Sequence, residues 1–243
     1  MTAYLTLELR RALRDRRYLG IVVGWPVAAY LLFSTVFGSA ANRAEGLSPH
    51  AEIMIAMAAF GAIGAVLMAT GPRIAGERES GWTRQLRLTP LSTTSVLWAR
   101  LTVALLLTAP SICLTFAVAF AVKGVDLPLW AWPAMIGLLV AGSVPFVALG
   151  IIIGGLSDGD SAVGITMIVY LVLAALGGLW MPTKILPGTM QAVAHALPSN
   201  ALAELGWKVA AGGAPPLEAV AVLAAWGVGL AVIAVALTRR VAS

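Results

Sequence analysis

Six long stretches of the chain carry no charged residue, and each is dominated by apolar side chains. They lie between Arg17 and Arg43, Glu52 and Arg73, Arg100 and Lys123, Asp126 and Asp158, Asp160 and Lys184, and Glu218 and Arg239. Each holds at least 20 residues, about what a helix needs to cross the hydrocarbon layer of a bilayer. A charge at the centre of such a helix costs about 2.5–3.5 kcal/mol, so the uncharged gaps mark six predicted transmembrane helices. A seventh gap, Lys184 to Glu204, is interrupted by Pro187, Gln191, His195, Pro198, Ser199 and Asn200. Broken, polar backbone at membrane depth must be buried in protein or line a cavity, so residues 182–213 are predicted to form an outer re-entrant or interfacial helical hairpin.

The positive charges set an orientation. With the N-terminus inside and six spans, twelve arginines fall on the inner side: Arg10, Arg11, Arg14, Arg16, Arg17, Arg73, Arg78, Arg84, Arg87, Arg100, Arg239 and Arg240. Four cations (Arg43, Lys123, Lys184 and Lys208) fall outside. This positive-inside bias predicts cytoplasmic N- and C-termini, and a seventh span would put Arg239 and Arg240 on the wrong side. Arg10-Arg11 and Ser39-Ala40-Ala41 resemble parts of a cleaved export signal. The apolar run between them is too long for a signal core, so the first span is expected to stay in place.

Residues 1–17 pattern as an amphipathic helix. Leu5, Leu9, Ala12 and Leu13 share one face, Arg10, Arg14 and Arg17 another, and Leu7 breaks the pattern. A basic amphipathic helix before a span lies along anionic headgroups; a simple positive-inside anchor is the plainer alternative. Pro26, Pro133 and Pro145 fall within spans one and four. Gly150 with Gly154, and more loosely Gly61 with Gly64, are small residues that permit close helix contact, within one chain or across a dimer.

Composition agrees. Of 243 residues, 60% are hydrophobic and 11% charged, against about 25% charged in a soluble domain. The prediction is one all-α integral membrane domain over 1–243. The single cysteine, Cys113, rules out an internal disulfide, and the net charge of +5 is placed for a membrane and not for nucleic acid.

Residues 73–95 form the longest predicted inner loop. Arg73, Arg78, Arg84 and Arg87 alternate there with Glu77 and Glu79, and Trp82, Leu86 and Leu88 add apolar contact points. Thr89-Pro90 ends any helix, because the residue before proline is pushed out of the α region. A short charged helix with a hydrophobic knob suits a groove on a soluble partner; a solvated basic loop beside headgroups is the alternative.

The chain holds no Gly-x-x-x-x-Gly-Lys-Ser/Thr phosphate loop and no His-Glu-x-x-His, so ATP binding by a P-loop is not expected. Gly155-Leu156-Ser157-Asp158-Gly159 matches the Gly-x-Ser-x-Gly nucleophile pattern. That pattern needs a strand, a sharp turn and a helix, whereas here it is the predicted turn between spans four and five. Both histidines, His50 and His195, would lie across the membrane from it. The spans contain no Asp, Glu, Lys or Arg, which argues against proton-coupled transport; sodium coupling through backbone carbonyls stays open.

Glu77-Arg78-Glu79-x-Gly81 followed by Leu86-x-x-Thr89-Pro90-Leu91-Ser92 resembles the first cytoplasmic loop of ABC-2-type permeases. Trp180-Met181-Pro182 through Leu197-Pro198 is similar to that family's outer hairpin. The six spans and amphipathic N-terminus extend the resemblance over the whole chain, nearest to small bacterial drug and antibiotic exporters. Trp82 departs from the small residue the family often has after Gly81. The resemblance implies a plasma-membrane permease paired with a separate ATP-binding cassette subunit, two of each, with ATP and magnesium held on that partner. It places the partner contact at Glu77, Arg78, Glu79, Gly81, Trp82, Arg84, Gln85, Leu86, Thr89 and Pro90, and gives this chain no catalytic or metal-binding role.

Two other functions stay in view. A membrane enzyme acting on lipid would have to use Asp158 and Asp160 or His195 and Glu204, and a sensor or immunity component would transport nothing. Uncharged spans suit a hydrophobic or amphipathic cargo, whose identity the sequence leaves open.

Overall fold

The computed structural model describes residues 6, 20–38, 46–82, 93–180 and 187–242. The described residues fold into helices. A π-helical turn, Gly20–Gly24, leads into α1 (Trp25–Phe37). There follow α2 (Pro49–Glu79), α3 (Thr93–Leu106), α4 (Thr108–Lys123), α5 (Ala131–Gly142), α6 (Val144–Leu156) and α7 (Gly159–Leu176). The chain closes with α8 (Gly188–Ala196), α9 (Pro198–Ala210) and α10 (Leu217–Ala242).

Five of these stretches are long and apolar enough to cross a membrane: Pro49–Glu79, Trp98–Lys123, Ala131–Leu156, Gly159–Leu176 and Leu217–Leu237. They coincide with the second to sixth predicted gaps. The first gap yields a shorter apolar helix, Val22–Phe37. Residues 7–19 before it and 39–45 after it, and with them Arg10, Arg14 and Arg17 of the predicted interfacial helix, lie outside the described residues.

Proline explains the broken spans. Pro110 has no N–H for the Leu106 carbonyl four residues back, and the third span divides at Leu107 into α3 and α4. Pro145 does the same to the Ala141 carbonyl, and the fourth span divides at Ser143. Ser143 is buried there and donates its hydroxyl hydrogen to the Leu139 carbonyl at 2.6 Å. Pro133 falls in the first turn of α5, where a missing N–H costs little. Pro72 sits inside α2 without ending it.

α2 is the axis of the bundle. In its most apolar stretch 83% of the residues are buried, against 17% in α10. Its sequence from Ile53 to Thr70 is apolar on every side and rich in alanine and glycine, the composition of a helix enclosed by others. It packs against α1, α4, α6, α7 and α9. The outer helices keep wide apolar faces: Val163, Ile168 and Val172 of α7 and Val228, Val232 and Ile233 of α10 are all exposed. Apolar faces this extensive belong against lipid rather than water.

The glycine pairs act within the chain. A Cβ on Gly150 would collide with Thr70 Oγ1, and one on Gly154 would collide with the Gly71 carbonyl and come within 2.7 Å of Ile74. Small residues on both helices therefore let α6 lie directly on α2, with the Thr70 hydroxyl turned back to the Val66 carbonyl at 2.7 Å.

Candidate functional site

At one end of the bundle α2 continues six residues beyond the predicted boundary at Arg73. Residues expected at the start of a loop, Arg73 to Glu79, are the last two turns of α2. The register of an α-helix then sends Glu77, Arg78 and Glu79 in different directions, because successive residues are about 100° apart.

Glu77 faces inward and its side chain is 10% exposed. One carboxylate oxygen accepts from Arg73 Nε at 3.3 Å, one turn earlier. The other accepts from Arg100 Nη2 of α3. Two guanidinium groups thus compensate one carboxylate in a partly buried setting. A water-sized cavity lies beside them, lined by Thr70, Arg73, Glu77, Arg100 and Val103.

Arg78 reaches the other way, to the end of α6. Its Nη1 donates to the carbonyls of Gly154 at 3.1 Å and Gly155 at 2.6 Å. Those carbonyls belong to the last turn of α6, where no further helical N–H is available, and the negative end of the helix dipole favours a cation. The carboxylate of Glu79 lies against Gly159, the first residue of α7, where a Cβ would collide with Oε2. There the exposed N–H end of a helix favours an anion. Glu77 and Arg78 therefore tie the end of α2 to α3 and α6 by hydrogen bonds, and Glu79 lies in contact with the start of α7.

Beyond them Gly81 adopts a φ of +74°, a left-handed conformation that glycine takes without penalty, and it turns the chain out of α2. Trp82 is half-buried. Arg84, Gln85, Leu86, Thr89 and Pro90 lie outside the described residues. Ser157, in the Gly-x-Ser-x-Gly pattern, sits in a tight turn joining two helices, which is not the strand-to-helix elbow that chemistry requires.

The opposite end of the bundle carries α8 and α9, joined at Leu197. α9 is enclosed by α2, α5 and α10. Ser199 Oγ donates to the Leu173 carbonyl at 2.7 Å, and Asn200 Nδ2 donates to the Gly177 carbonyl at 3.0 Å. These polar residues, which interrupt the seventh gap, add side-chain donors at the C-terminal end of α7, where the Leu173 carbonyl also accepts from the Gly177 N–H. Trp207 Nε1 donates to the Glu52 carbonyl at 3.0 Å and Trp226 Nε1 to that of Ala196 at 2.9 Å, which fixes α9 to α2 and α8 to α10. Sequence reasoning marked Ser199 and Asn200 as too polar to span; their partners are on another helix and were invisible to it.

An apolar cavity of about 470 Å³ opens between the π-helical turn, α2 and α7. Its walls include Val22, Trp25, Gly64, Met68, Met167 and Tyr170.

Apolar helices enclosing a central one, with the charges gathered at a helix end, define a multi-pass membrane protein. Residues 39–237 match the family model described as ABC-2 family transporter protein. The chain is 30% identical over 220 residues to the Bacillus subtilis (strain 168) protein assigned as transport permease YvfS, covering 90% of this chain and 89% of that one. The chain belongs to the ABC-2 transporter family.

Proposed function

We propose that this chain is the membrane-spanning subunit of an ATP-driven exporter, working with a separate ATP-binding cassette subunit. The observation that carries the reading is membership of a transport permease family over nearly the whole chain. In this reading all six apolar stretches span, α8 and α9 form an outer re-entrant hairpin, and residues 1–17 lie along the inner headgroups. The chain sits in the bacterial plasma membrane with both termini in the cytoplasm. ATP and magnesium reside on the partner subunit, and two permease chains pair as a homodimer or heterodimer.

The contact with the ATP-binding subunit begins where α2 ends. Gly81 and Trp82 start the contact segment and Arg84, Gln85, Leu86, Thr89 and Pro90 continue it. Glu77, Arg78 and Glu79, at the end of α2, belong to the same contact. The cargo is hydrophobic or amphipathic, in keeping with uncharged spans.

The test is co-purification of the chain with an ATP-binding cassette subunit of the same organism, followed by ATP-dependent accumulation of a hydrophobic fluorescent dye in inside-out vesicles. Retention of the subunit together with accumulation supports the reading. A chain that holds no ATP-binding subunit would sink it.

A further inference from the structure

We propose that Glu77, Arg78 and Glu79 are positioning residues that make α2, α3, α6 and α7 move as one body, so that displacement of the segment after Trp82 reaches the membrane helices through them. The transmission role rests on the reading of the chain as an ATP-driven permease; the brace itself does not.

Each connection is made by a different residue to a different helix. Glu77 holds α3 through Arg100, Arg78 holds the end of α6 through Gly154 and Gly155, and Glu79 abuts the start of α7 at Gly159. The three residues are consecutive and belong to one rigid helix. Any displacement at Ser80 and Gly81 therefore has no flexible step between it and the neighbouring helices. Arg78 bonds to α6 alone, and the short turn of residues 157 and 158 joins that helix to α7. A residue whose only role was to touch a partner would not need its charge neutralised inside the chain. Glu77 is nearly buried and occupied by two guanidiniums.

The test has two parts, both in a Cys113→Ser background reconstituted in lipid nanodiscs. In the first, spin labels at Ser80→Cys and Ser161→Cys report how tightly the end of α2 is held to the start of α7. A narrow distance distribution is expected with Glu77, Arg78 and Glu79 intact, a broad one for Arg78→Gln, and a narrow one again for Arg78→Lys, whose ammonium can meet the same two carbonyls. A distribution that stays narrow in Arg78→Gln and in Glu77→Gln overturns the brace.

In the second part the chain is purified with its ATP-binding subunit, and labels at Leu129→Cys and Met190→Cys report the opposite end. ATP with vanadate is expected to change that distance in the otherwise unaltered chain. With Arg78→Gln, compared at equal subunit occupancy and equal ATP hydrolysis measured in the same sample, the change is lost, and Arg78→Lys restores it. Survival of the change in Arg78→Gln overturns transmission. Failure of the unaltered chain to hold an ATP-binding subunit refutes the permease reading and transmission together, and the first part still decides the brace.

Discussion

The hydroxyl of Ser111 on α4 donates to the carbonyl of Val22, 89 residues away, at 3.1 Å. The pairing follows from Pro26, which has no N–H to offer the carbonyl four residues before it. Ser111 supplies the missing donor from another helix, and Gly61 of α2 makes the room: a Cβ there would collide with Ser111 Oγ and come within 3.0 Å of Pro26. Three helices thus meet around the Val22 carbonyl, within the π-helical turn that walls the apolar cavity.

Ser111→Ala should therefore lower stability by about 1 kcal/mol, the usual worth of a hydrogen bond inside a membrane protein. Pro26→Ala restores a local donor, so the loss on removing Ser111 should shrink in that background. Thermal unfolding in detergent of the four members of this cycle measures the coupling. Strict additivity would show that the bond contributes nothing.

Gly150→Leu and Gly154→Leu should be far more damaging than Gly137→Leu. A side chain at the first two positions meets α2, whereas nothing lies within 4 Å of a Cβ on Gly137. Overpacking of this kind costs about 1–3 kcal/mol or more. Yield of folded protein and unfolding temperature should fall for the first two and stay near the parent value for Gly137→Leu.

Ser199→Ala with Asn200→Ala should loosen α9 from α7 while leaving the rest of the bundle in place. Two side-chain hydrogen bonds to the end of α7 are lost, at about 1 kcal/mol each. Hydrogen exchange should rise in residues 188–210 and around Gly177. Unchanged protection there would mean that burial alone holds α9.

Gly81→Val should weaken association with the ATP-binding subunit without lowering the unfolding temperature of the chain by itself. A β-branched residue is strained at a φ of +74°, and the segment after it would leave α2 in a new direction. Subunit retention on an affinity column, compared with the melting curve, separates the two effects. Equal retention by the variant would remove Gly81 from the contact.

The hydrophobic pattern alone determined the class of this protein. Charge is so costly in a bilayer that uncharged runs mark the apolar helices, and five of the six emerged as helices long enough to span. It also marked where the chain is too polar to span, around Ser199 and Asn200. What it could not determine was which polar groups would meet. Arg73 read as the start of a loop because a charge closed the gap, yet α2 runs on to Glu79, with Glu77 compensated by Arg73 and Arg100 while Arg78 and Glu79 stay exposed. That Glu77 and Arg78 also bond to α3 and α6 was decided only by the packing of those helices against α2. Spans three and four break at Leu107 and Ser143, where proline frees a carbonyl that the sequence does reveal, but the donor to the Val22 carbonyl before Pro26 comes from another helix. Hydrophobicity is a property of each segment by itself; a hydrogen bond between helices depends on which faces come together, and the tertiary structure alone decided that.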